Sequence, residues 1–342
     1  MNVTELKAKI KDGDIGGVYI FAGEEDYLKK FYAAQMAKIA APDEAFALFN
    51  KQLFEGEDID FAAIKEAVSS PPMFSDRKLI EHRYPDLEHT SESERKALEE
   101  LADLCAEYPY ATVLFVVSAD LFDAGTVKRP SRLAARLSKK INLVNFEKST
   151  DAQLVAWLRR HFEHLGVKVS AGVPETLIFR SGHSMQVLKG EVDKLAAYAA
   201  ARSLPVLTEH EVALVASPTS ECDAFALSGA IADRSRQKAL EALYDMQLRR
   251  LDANAILATL SRAFNETATV AFLLSEGKDA QDIEKLLGWN AYKIKICISS
   301  ARRFGQERLA EALGRLREMD AASKSGGITG MAPIEMFICE FI

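Results

Sequence analysis

Cysteine is scarce in this sequence, and its spacing excludes two common roles of that residue. The chain has 342 residues and four cysteines. They are widely scattered, at Cys105, Cys222, Cys297 and Cys339. Structural zinc sites, dithiol redox centres and disulfide frameworks need cysteines at characteristic spacings, which are missing here. The sequence therefore predicts neither a structural metal nor redox chemistry.

Long apolar runs are also missing. No stretch approaches eighteen uncharged apolar residues, the length that a membrane-spanning helix needs. The opening MNVTELKAKIKDGD has no apolar segment behind a basic one, which is the pattern of a secretion signal. We therefore expect a cytoplasmic protein without a membrane partner.

An excess of positive charge is the third feature that the sequence lacks. Its formal net charge of -7 argues against a surface covered by non-specific nucleic-acid contacts, although one local basic surface is compatible with it. Hydrophobic residues make up 48% and charged residues 27% of the chain, as in ordinary globular proteins. The length is sufficient for two or three domains.

The stretch GVYIFAGEEDYLKKFY, residues 17–32, has the strand–turn–helix pattern of a nucleotide-binding loop without its chemistry. A phosphate loop reads G-x-x-x-x-G-K-[ST], because glycines let backbone N–H groups surround phosphate while lysine and a hydroxyl hold the terminal phosphate and magnesium. Counted from Gly23, Lys29 is in register. Leu28 replaces the second glycine, however, and Lys30 replaces the hydroxyl residue. Three acids fill the turn: Glu24, Glu25 and Asp26.

Residues 1–147 alternate short β-branched or aromatic runs with helical patterns, which is typical of βαβ units and a mostly parallel sheet. The predicted strands are VYIFA at 18–22, LFNKQLF at 48–54, KLIEHR at 78–83, ATVLFVV at 111–117 and INLVNF at 141–146. From Ser149 the pattern becomes helical, beginning with a cap and an amphipathic helix that ends near Gly166. The stretch KIKICI at 293–298 alternates with period two, so locally a strand fits as well as a helix.

Several apparent catalytic patterns have simpler explanations. Ser181–Gln186 approaches the G-x-S-x-G nucleophile elbow, but no strand precedes it and the final glycine is missing, so a serine helix cap is favoured. His161 and His164 lie three residues apart without the H-E-x-x-H pattern of a metal site. The acids at 92–100 alternate with bases, as on a solvated helix face. No catalytic residue and no metal ligand is predicted.

Four stretches together resemble the delta subunit family of the bacterial DNA polymerase III clamp loader. They are FAGEEDYL at 21–28, SSPPMFSDRKLI at 69–80, GEVDKLAAYA at 190–199 and the run from LGWNAYKIKICI to REMDAASKSG at 287–326. Each stretch is defined mainly by the spacing of its apolar residues. Their order and separations follow the three-domain plan of that family. The resemblance covers nearly the whole chain.

The resemblance implies an α/β AAA+-like domain with a parallel sheet at 1–147, a three-helix lid at 148–210 and an all-α collar at 211–342. The parallel strands would follow the order five, one, four, three, two. The implied partners are the β sliding clamp, the ATPase (gamma/tau) and delta-prime loader subunits bound through the collar, and primed DNA. The implied function is to bind and open the clamp as a component of the DNA polymerase III holoenzyme.

The same resemblance explains the acidic turn, because delta subunits resemble ATP-binding proteins that kept the fold and lost the nucleotide. The acids would repel a triphosphate and stabilise the helix N-terminus, each by roughly 0.3 to 1 kcal/mol. The strand KLIEHR is not followed by the acidic pair that positions magnesium and water in ATPases. We expect no cofactor and no ATP hydrolysis. The degenerate nucleotide site would comprise Gly23, Glu24, Glu25, Asp26, Lys29 and, in place of a phosphate-sensing arginine, Gln186.

The stretch Pro71–Asp76 is the sharpest functional feature. In the family, this position resembles the tip that inserts into a hydrophobic pocket of the sliding clamp, and the matching residues are Pro72, Met73 and Phe74. Prolines stiffen the approach, methionine is adaptable and phenylalanine supplies a large apolar area, which is the composition of an interface anchor. From the residues alone, packing of Met73 and Phe74 inside the first domain is an equally good alternative.

A second candidate surface is the segment between Lys285 and Arg303, which contains no acid. The possible DNA contacts are Lys293, Lys295, Arg302 and Arg303. Such a patch suits phosphate contact, but a solvated face or a packing surface against another collar domain fits equally. Residues 282–303 also fit a helix-turn-helix with Gly288 in the turn, so the alternative function is a DNA-binding regulator.

Overall fold

The chain forms two compact units, Met1–Ser149 and Thr150–Ile342, in a computed structural model that describes residues 1–325 and 330–342. Each unit has its own hydrophobic core. The division of the second unit into a lid and a collar stays a prediction. None of the helices in the described part of the chain combines the length and the apolar character that crossing a bilayer requires.

The first unit alternates helices and strands, as its sequence pattern predicts. Its helices are α1 (Val3–Asp12), α2 (Asp26–Ala40), α3 (Ala47–Asn50), α4 (Phe61–Ser69), α5 (Glu92–Glu107) and α6 (Arg132–Leu137), with a 3-10 turn at Glu44–Phe46. Its strands are β1 (Gly17–Ala22), β2 (Lys51–Glu55), β3 (Lys78–Arg83), β4 (Ala111–Val116) and β5 (Asn142–Asn145).

These strands form one parallel sheet in the order β2–β3–β4–β1–β5. Read from the other edge, this is the predicted order five, one, four, three, two, which is confirmed. β1 and β4 lie inside the sheet and are almost wholly buried. Burial on both faces explains why their sequences are continuous apolar runs instead of alternating ones.

Side chains of β1 contribute to two cores on opposite faces of the sheet. Val18 and Ile20 pack in a core that includes residues of α4 and α5. Tyr19 and Phe21 pack in a second core with residues of α1 and α2. This division follows from strand geometry, because successive side chains point to opposite faces.

The strand predicted at 48–54 was partly wrong. Residues Ala47–Asn50 form the short helix α3, and β2 begins only at Lys51. The apolar side chains of Leu48 and Phe49, which suggested a buried strand, are exposed. The buried residue is Asn50, whose polar side chain finds hydrogen-bond partners inside the unit.

The second unit is built from helices. They are α7 (Asp151–His164), α8 (Val173–Ser181), α9 (Met185–Ala201), α10 (Glu209–Val215), α11 (Ser220–Ala232), α12 (Arg236–Leu248), α13 (Ala253–Ser275), α14 (Ala280–Leu287), α15 (Ala291–Phe304), α16 (Gln306–Lys324) and α17 (Ala332–Phe341). Thr150 caps α7 by accepting a hydrogen bond from the backbone N–H of Gln153, as the predicted cap requires.

The ambiguous stretch at 293–298 lies within helix α15, which confirms the helix that its wider context predicts. The buried residues of α15 include Ile294, Cys297, Ala301 and Phe304, which recur every three or four positions. Because α15 packs against α11 and α13, burial of this helical face outweighs the local period-two pattern.

Candidate functional site

The predicted tip lies on the loop between α4 and β3, and its two apolar side chains are exposed. Met73 has 42% and Phe74 79% of its surface accessible in this chain. Pro71 is exposed and Pro72 is half-buried. Met73 and Phe74 therefore do not pack inside the first unit, and they present an apolar surface of the kind that marks a binding site.

Hydrogen bonds hold this loop at several points. The side chain of Asn50 accepts from the Met73 N–H at 2.8 Å and donates to the Met73 carbonyl at 2.7 Å. Ser75 Oγ donates to the Ala40 carbonyl at 2.9 Å. Lys78, at the start of β3, donates from Nζ to the Ser70 carbonyl at 3.2 Å. The loop is thus tied to the end of α2, to the end of α3 and to β3.

Phe74 adopts a backbone conformation that is rare for a bulky residue. Its φ is +53°, in the left-handed region that favours glycine. Its ring lies against Phe46, with 4.7 Å between the ring centroids. Backbone strain of this kind clusters at functional sites, so the conformation of Phe74 supports a functional role for the tip.

The turn that the sequence predicts to be a degenerate nucleotide site lies between β1 and α2. Gly23 has a φ of +97°, and a Cβ there would approach the Phe146 carbonyl oxygen to 2.4 Å, so glycine is required by the fold. Lys29 is 1% exposed. Its Nζ donates to the carbonyls of Gly23 at 2.7 Å and Val117 at 2.6 Å, and it pairs with Asp26 at 2.8 Å. The ammonium group that a phosphate would need is fully engaged within the protein.

The other acids of this turn also serve the fold. Glu24 pairs with Lys148 at 2.6 Å. Glu25 occupies the N-cap position of α2 and is buried, and its backbone N–H donates to the Phe146 carbonyl. Burial raises the pKa of the Glu25 carboxyl, with the backbone N–H of Tyr27 opposing that shift. A buried carboxyl group near the helix start leaves this turn unsuited to a second anion.

A cavity of about 270 Å³ opens at the carboxyl ends of β3 and β4, beside α2. Its charged lining residues include Lys30, Lys51, Glu81 and Arg83. Glu81 is buried and accepts a hydrogen bond from Arg83 Nε at 2.7 Å, and this bond raises the pKa of the Arg83 guanidinium. The end of β3 therefore carries a buried acid that is paired with a base.

The remaining sequence candidates lie in the second unit. Gln186 is exposed on α9. Ser184 caps α9 by accepting from the Val187 N–H, so the serine cap predicted within the elbow-like stretch is confirmed. His161 stacks on Trp157, with 5.3 Å between the ring centroids. Across residues 1–325 and 330–342, no group of three or more His, Cys, Asp or Glu side chains could hold a metal ion.

The basic segment divides into inward-facing and exposed cations. Lys293 Nζ lies 2.8 Å from carboxylate oxygens of Glu221 and Glu266, and 4.7 Å from the centre of the Trp289 ring. This engagement disfavours a phosphate contact by Lys293. Arg303 pairs with Asp233. The exposed cations on α15 that are left for DNA are Lys295 and Arg302.

Two models of one family match this chain. The model described as DNA polymerase III, delta subunit, matches residues 19–147. The model for the C-terminal domain of the DNA polymerase III delta subunit matches residues 221–341, so the two together cover more than two thirds of the chain. This chain belongs to the DNA polymerase III delta subunit family.

Individual delta-family relatives match over nearly the full length. DNA polymerase III subunit delta of Bacillus subtilis strain 168 is 20% identical over 345 residues, which is 99% of this chain and 97% of the relative. A probable DNA polymerase III subunit delta of Aquifex aeolicus strain VF5 is 23% identical over 312 residues, covering 90% of this chain and 86% of the relative. The solved structure of the Bacillus subtilis DNA clamp loader delta protein matches with a TM-score of 0.56 and 18% identity over 99% of both chains, which supports the fold.

Membership of the delta family bears on the alternative function. Gly288, with a φ of +64°, does join α14 and α15 as in a helix-turn-helix. The family match nevertheless favours a delta-subunit function over that of a sequence-specific regulator.

Two residues that complete the candidate site were missed by the sequence analysis. Asn50 and Phe46 support the tip, but they precede Met73 and Phe74 by more than twenty residues. Asn50 lay inside a stretch predicted as a strand. Its one sequence signal was that polar residues interrupt the stretch LFNKQLF, of which Asn50 is the first.

Proposed function

We propose that this delta-family chain binds the β sliding clamp through Met73 and Phe74, and opens the ring or holds it open for loading onto primed DNA. The observation that carries the proposal is the exposure of both side chains on a loop that is tied to the sheet. The comparisons support the family, and the role of these residues is the proposal.

The chemistry of the tip suits an anchor in an apolar pocket. Phenylalanine offers a large rigid surface, and methionine adapts to irregular pocket walls. Burial of each side chain contributes roughly 1.5 to 3 kcal/mol. Because the loop is already ordered, little conformational entropy is lost on binding.

Ring opening requires more than affinity. A ligand shifts a conformational equilibrium only by its differential affinity for the two states, and a ligand that binds both states equally shifts nothing. The tip must therefore fit the pocket better in the opened clamp than in the closed one. In this mechanism, the chain contributes binding energy and no chemical step.

ATP hydrolysis belongs to the partner subunits in this proposal. Lys29 is bonded within the protein, and the acidic turn opposes a triphosphate. Conformational changes in ATPase subunits, joined to this chain through its C-terminal helices, would expose or withdraw the tip.

The test is the Met73→Ala, Phe74→Ala double variant. Clamp binding by the isolated chain should weaken by about two to four orders of magnitude, because two anchoring side chains lose their apolar contacts. Surface plasmon resonance on immobilised clamp measures the affinity. Clamp unloading from circular DNA by the assembled loader measures opening, and it should fall in parallel.

A matched control removes the same two residue types elsewhere. Phe272 and Met336 lie in the second unit and are each 61% exposed. The Phe272→Ala, Met336→Ala double variant should bind the clamp like wild type. Wild-type clamp binding by the tip variant, with unchanged thermal stability, would show that Met73 and Phe74 are not the anchor.

A further inference from the structure

We propose that Asn50 is a positioning residue for clamp binding: it makes no contact with the clamp but fixes the backbone of Met73, so that Phe74 is presented in its binding conformation. This inference rests on the proposed role of the tip. It adds a residue that lies beneath the binding surface and is 1% exposed.

The side chain of Asn50 pairs with a single residue of the tip. Its Oδ1 accepts from the Met73 N–H at 2.8 Å and its Nδ2 donates to the Met73 carbonyl at 2.7 Å. A carboxamide carries one acceptor and one donor group, so it can satisfy both backbone groups of one residue at once. The two bonds resemble the pairing that a neighbouring β-strand would supply.

The location of Asn50 makes it a rigid support. It ends α3 and directly precedes β2, whose residues Lys51–Glu55 pair with Leu79–Arg83 of β3. The tip loop itself leads into β3. Asn50 therefore links the loop to β2, the strand that adjoins β3 in the sheet. This link fixes the position of Met73 relative to the sheet.

Fixing the Met73 carbonyl orients the peptide plane that precedes Phe74 and thereby favours the conformation of that residue. Phe74 has a φ of +53°, which a phenylalanine in an unrestrained loop seldom adopts. In that conformation its ring lies 4.7 Å from the Phe46 ring and stays largely exposed. Without the two bonds from Asn50, Phe74 is expected to relax to negative φ, which turns its side chain away from the present direction.

The expected loss of clamp affinity follows from the population of the binding-competent loop conformation. The apparent Kd of a ligand rises by the inverse of the competent fraction. A minor conformer typically has a population of about 0.1 to 10%, so loss of Asn50 should weaken clamp binding about 10- to 1,000-fold. Because the contacts in the complex are unchanged, most of the loss should appear in the association rate.

The experiment compares Asn50→Ala with Asn145→Ala in the full chain. Asn145 is the matched control, because its side chain also donates to a loop carbonyl in the first unit, that of Gly125 at 2.9 Å, away from the tip. Hydrogen–deuterium exchange of the Met73 amide reports on the loop without the clamp. Surface plasmon resonance on immobilised clamp gives association and dissociation rates.

For Asn50→Ala, we expect loss of Met73 amide protection and a slower association rate, with the dissociation rate close to wild type. Asn145→Ala should change neither the protection of the Met73 amide nor the association rate. Retained Met73 protection, or wild-type association with the clamp, would overturn the role of Asn50. If the Met73→Ala, Phe74→Ala variant binds the clamp normally, the proposed function itself fails, and the exchange measurement still shows separately whether Asn50 orders the loop.

Discussion

Lys29 has the sequence register of a phosphate-loop lysine, but its ammonium group is bound within the protein. It occupies the position of the phosphate-binding lysine in a nucleotide loop, yet its ammonium group is enclosed by the carbonyls of Gly23 and Val117 and by the Asp26 carboxylate. Since the ends of β1 and β4 and the start of α2 meet at this group, we infer that Lys29 stabilises the turn and the carboxyl ends of these two strands.

Replacement of Lys29 by methionine should destabilise the first unit. Two buried carbonyl groups would lose their partner, and an unsatisfied buried polar group costs about 1 to 3 kcal/mol. We expect the free energy of unfolding to fall by about 2 to 4 kcal/mol in chemical denaturation. The exposed neighbour provides the control, because Lys30→Met should change stability by less than about 0.5 kcal/mol. Equal stabilities of the two variants would contradict the structural role of Lys29.

The same geometry predicts that the wild-type chain does not bind Mg-ATP at physiological concentration. A triphosphate would have to displace the Asp26 pairing and approach the buried Glu25 carboxyl, while gaining no free lysine. Isothermal titration calorimetry should show no saturable heat. Micromolar binding that disappears in Lys29→Met would refute this assignment.

At the scale of an element, α15 shows that cations on one helix have different roles. Lys293 faces α11 and α13 and is held by two carboxylates and an aromatic ring. Desolvation would lower the pKa of this ammonium group, but the bonds to Glu221 and Glu266 outweigh it and raise the pKa. Lys295 and Arg302 lie seven residues apart on the exposed side of the helix.

We predict that Lys295 and Arg302 contact DNA phosphates in the assembled loader. The Lys295→Ala, Arg302→Ala variant should bind primed DNA more weakly, and the salt dependence of log K should decrease by about 0.9 for each lost phosphate contact. Fluorescence anisotropy across a salt series measures both quantities. The Lys7→Ala, Lys11→Ala variant removes equal charge from α1 and should leave the DNA affinity and its salt dependence unchanged. An unaltered slope in the α15 variant would mean that these cations form only a solvated face.

At the scale of the whole molecule, the two units are expected to carry separate tasks. The first unit contains the complete sheet, both of its cores and the tip with its supports. The second unit contains helices α7–α17 and its own cores. A unit with its own core is expected to fold by itself.

A chain that ends at Ser149 should therefore bind the clamp with nearly wild-type affinity and fail to assemble with the ATPase subunits. The physical reason is that the tip is supported within the first unit, whereas the predicted collar lies in the second. Size-exclusion chromatography with the partner subunits measures assembly, and circular dichroism checks folding. Normal assembly by the truncated and folded chain would refute the collar assignment.

The amino-acid sequence was enough to predict the parallel sheet, the helical second unit and the loss of phosphate-loop chemistry, and the family resemblance implied the strand order. These features could be predicted because they depend on local periodicity and on residue types at fixed spacing. Continuous apolar runs at 18–22 and 111–117 indicate strands buried on both faces. The replacement of the second glycine by Leu28 and of the hydroxyl residue by Lys30 can be read directly from the sequence.

The tertiary structure decided which polar groups meet across long separations. Asn50 reaches Met73 over 23 positions, Lys29 reaches Val117 over 88 and Lys293 reaches Glu221 over 72. No sequence periodicity reports such pairs, because they depend on how strands and helices are placed side by side. For the same reason, the sequence left the exposure of Met73 and Phe74 open, and it did not indicate that the half-buried Lys293 is held by two carboxylates. Burial is a property of the folded surface, and an apolar or charged residue type constrains it only in part.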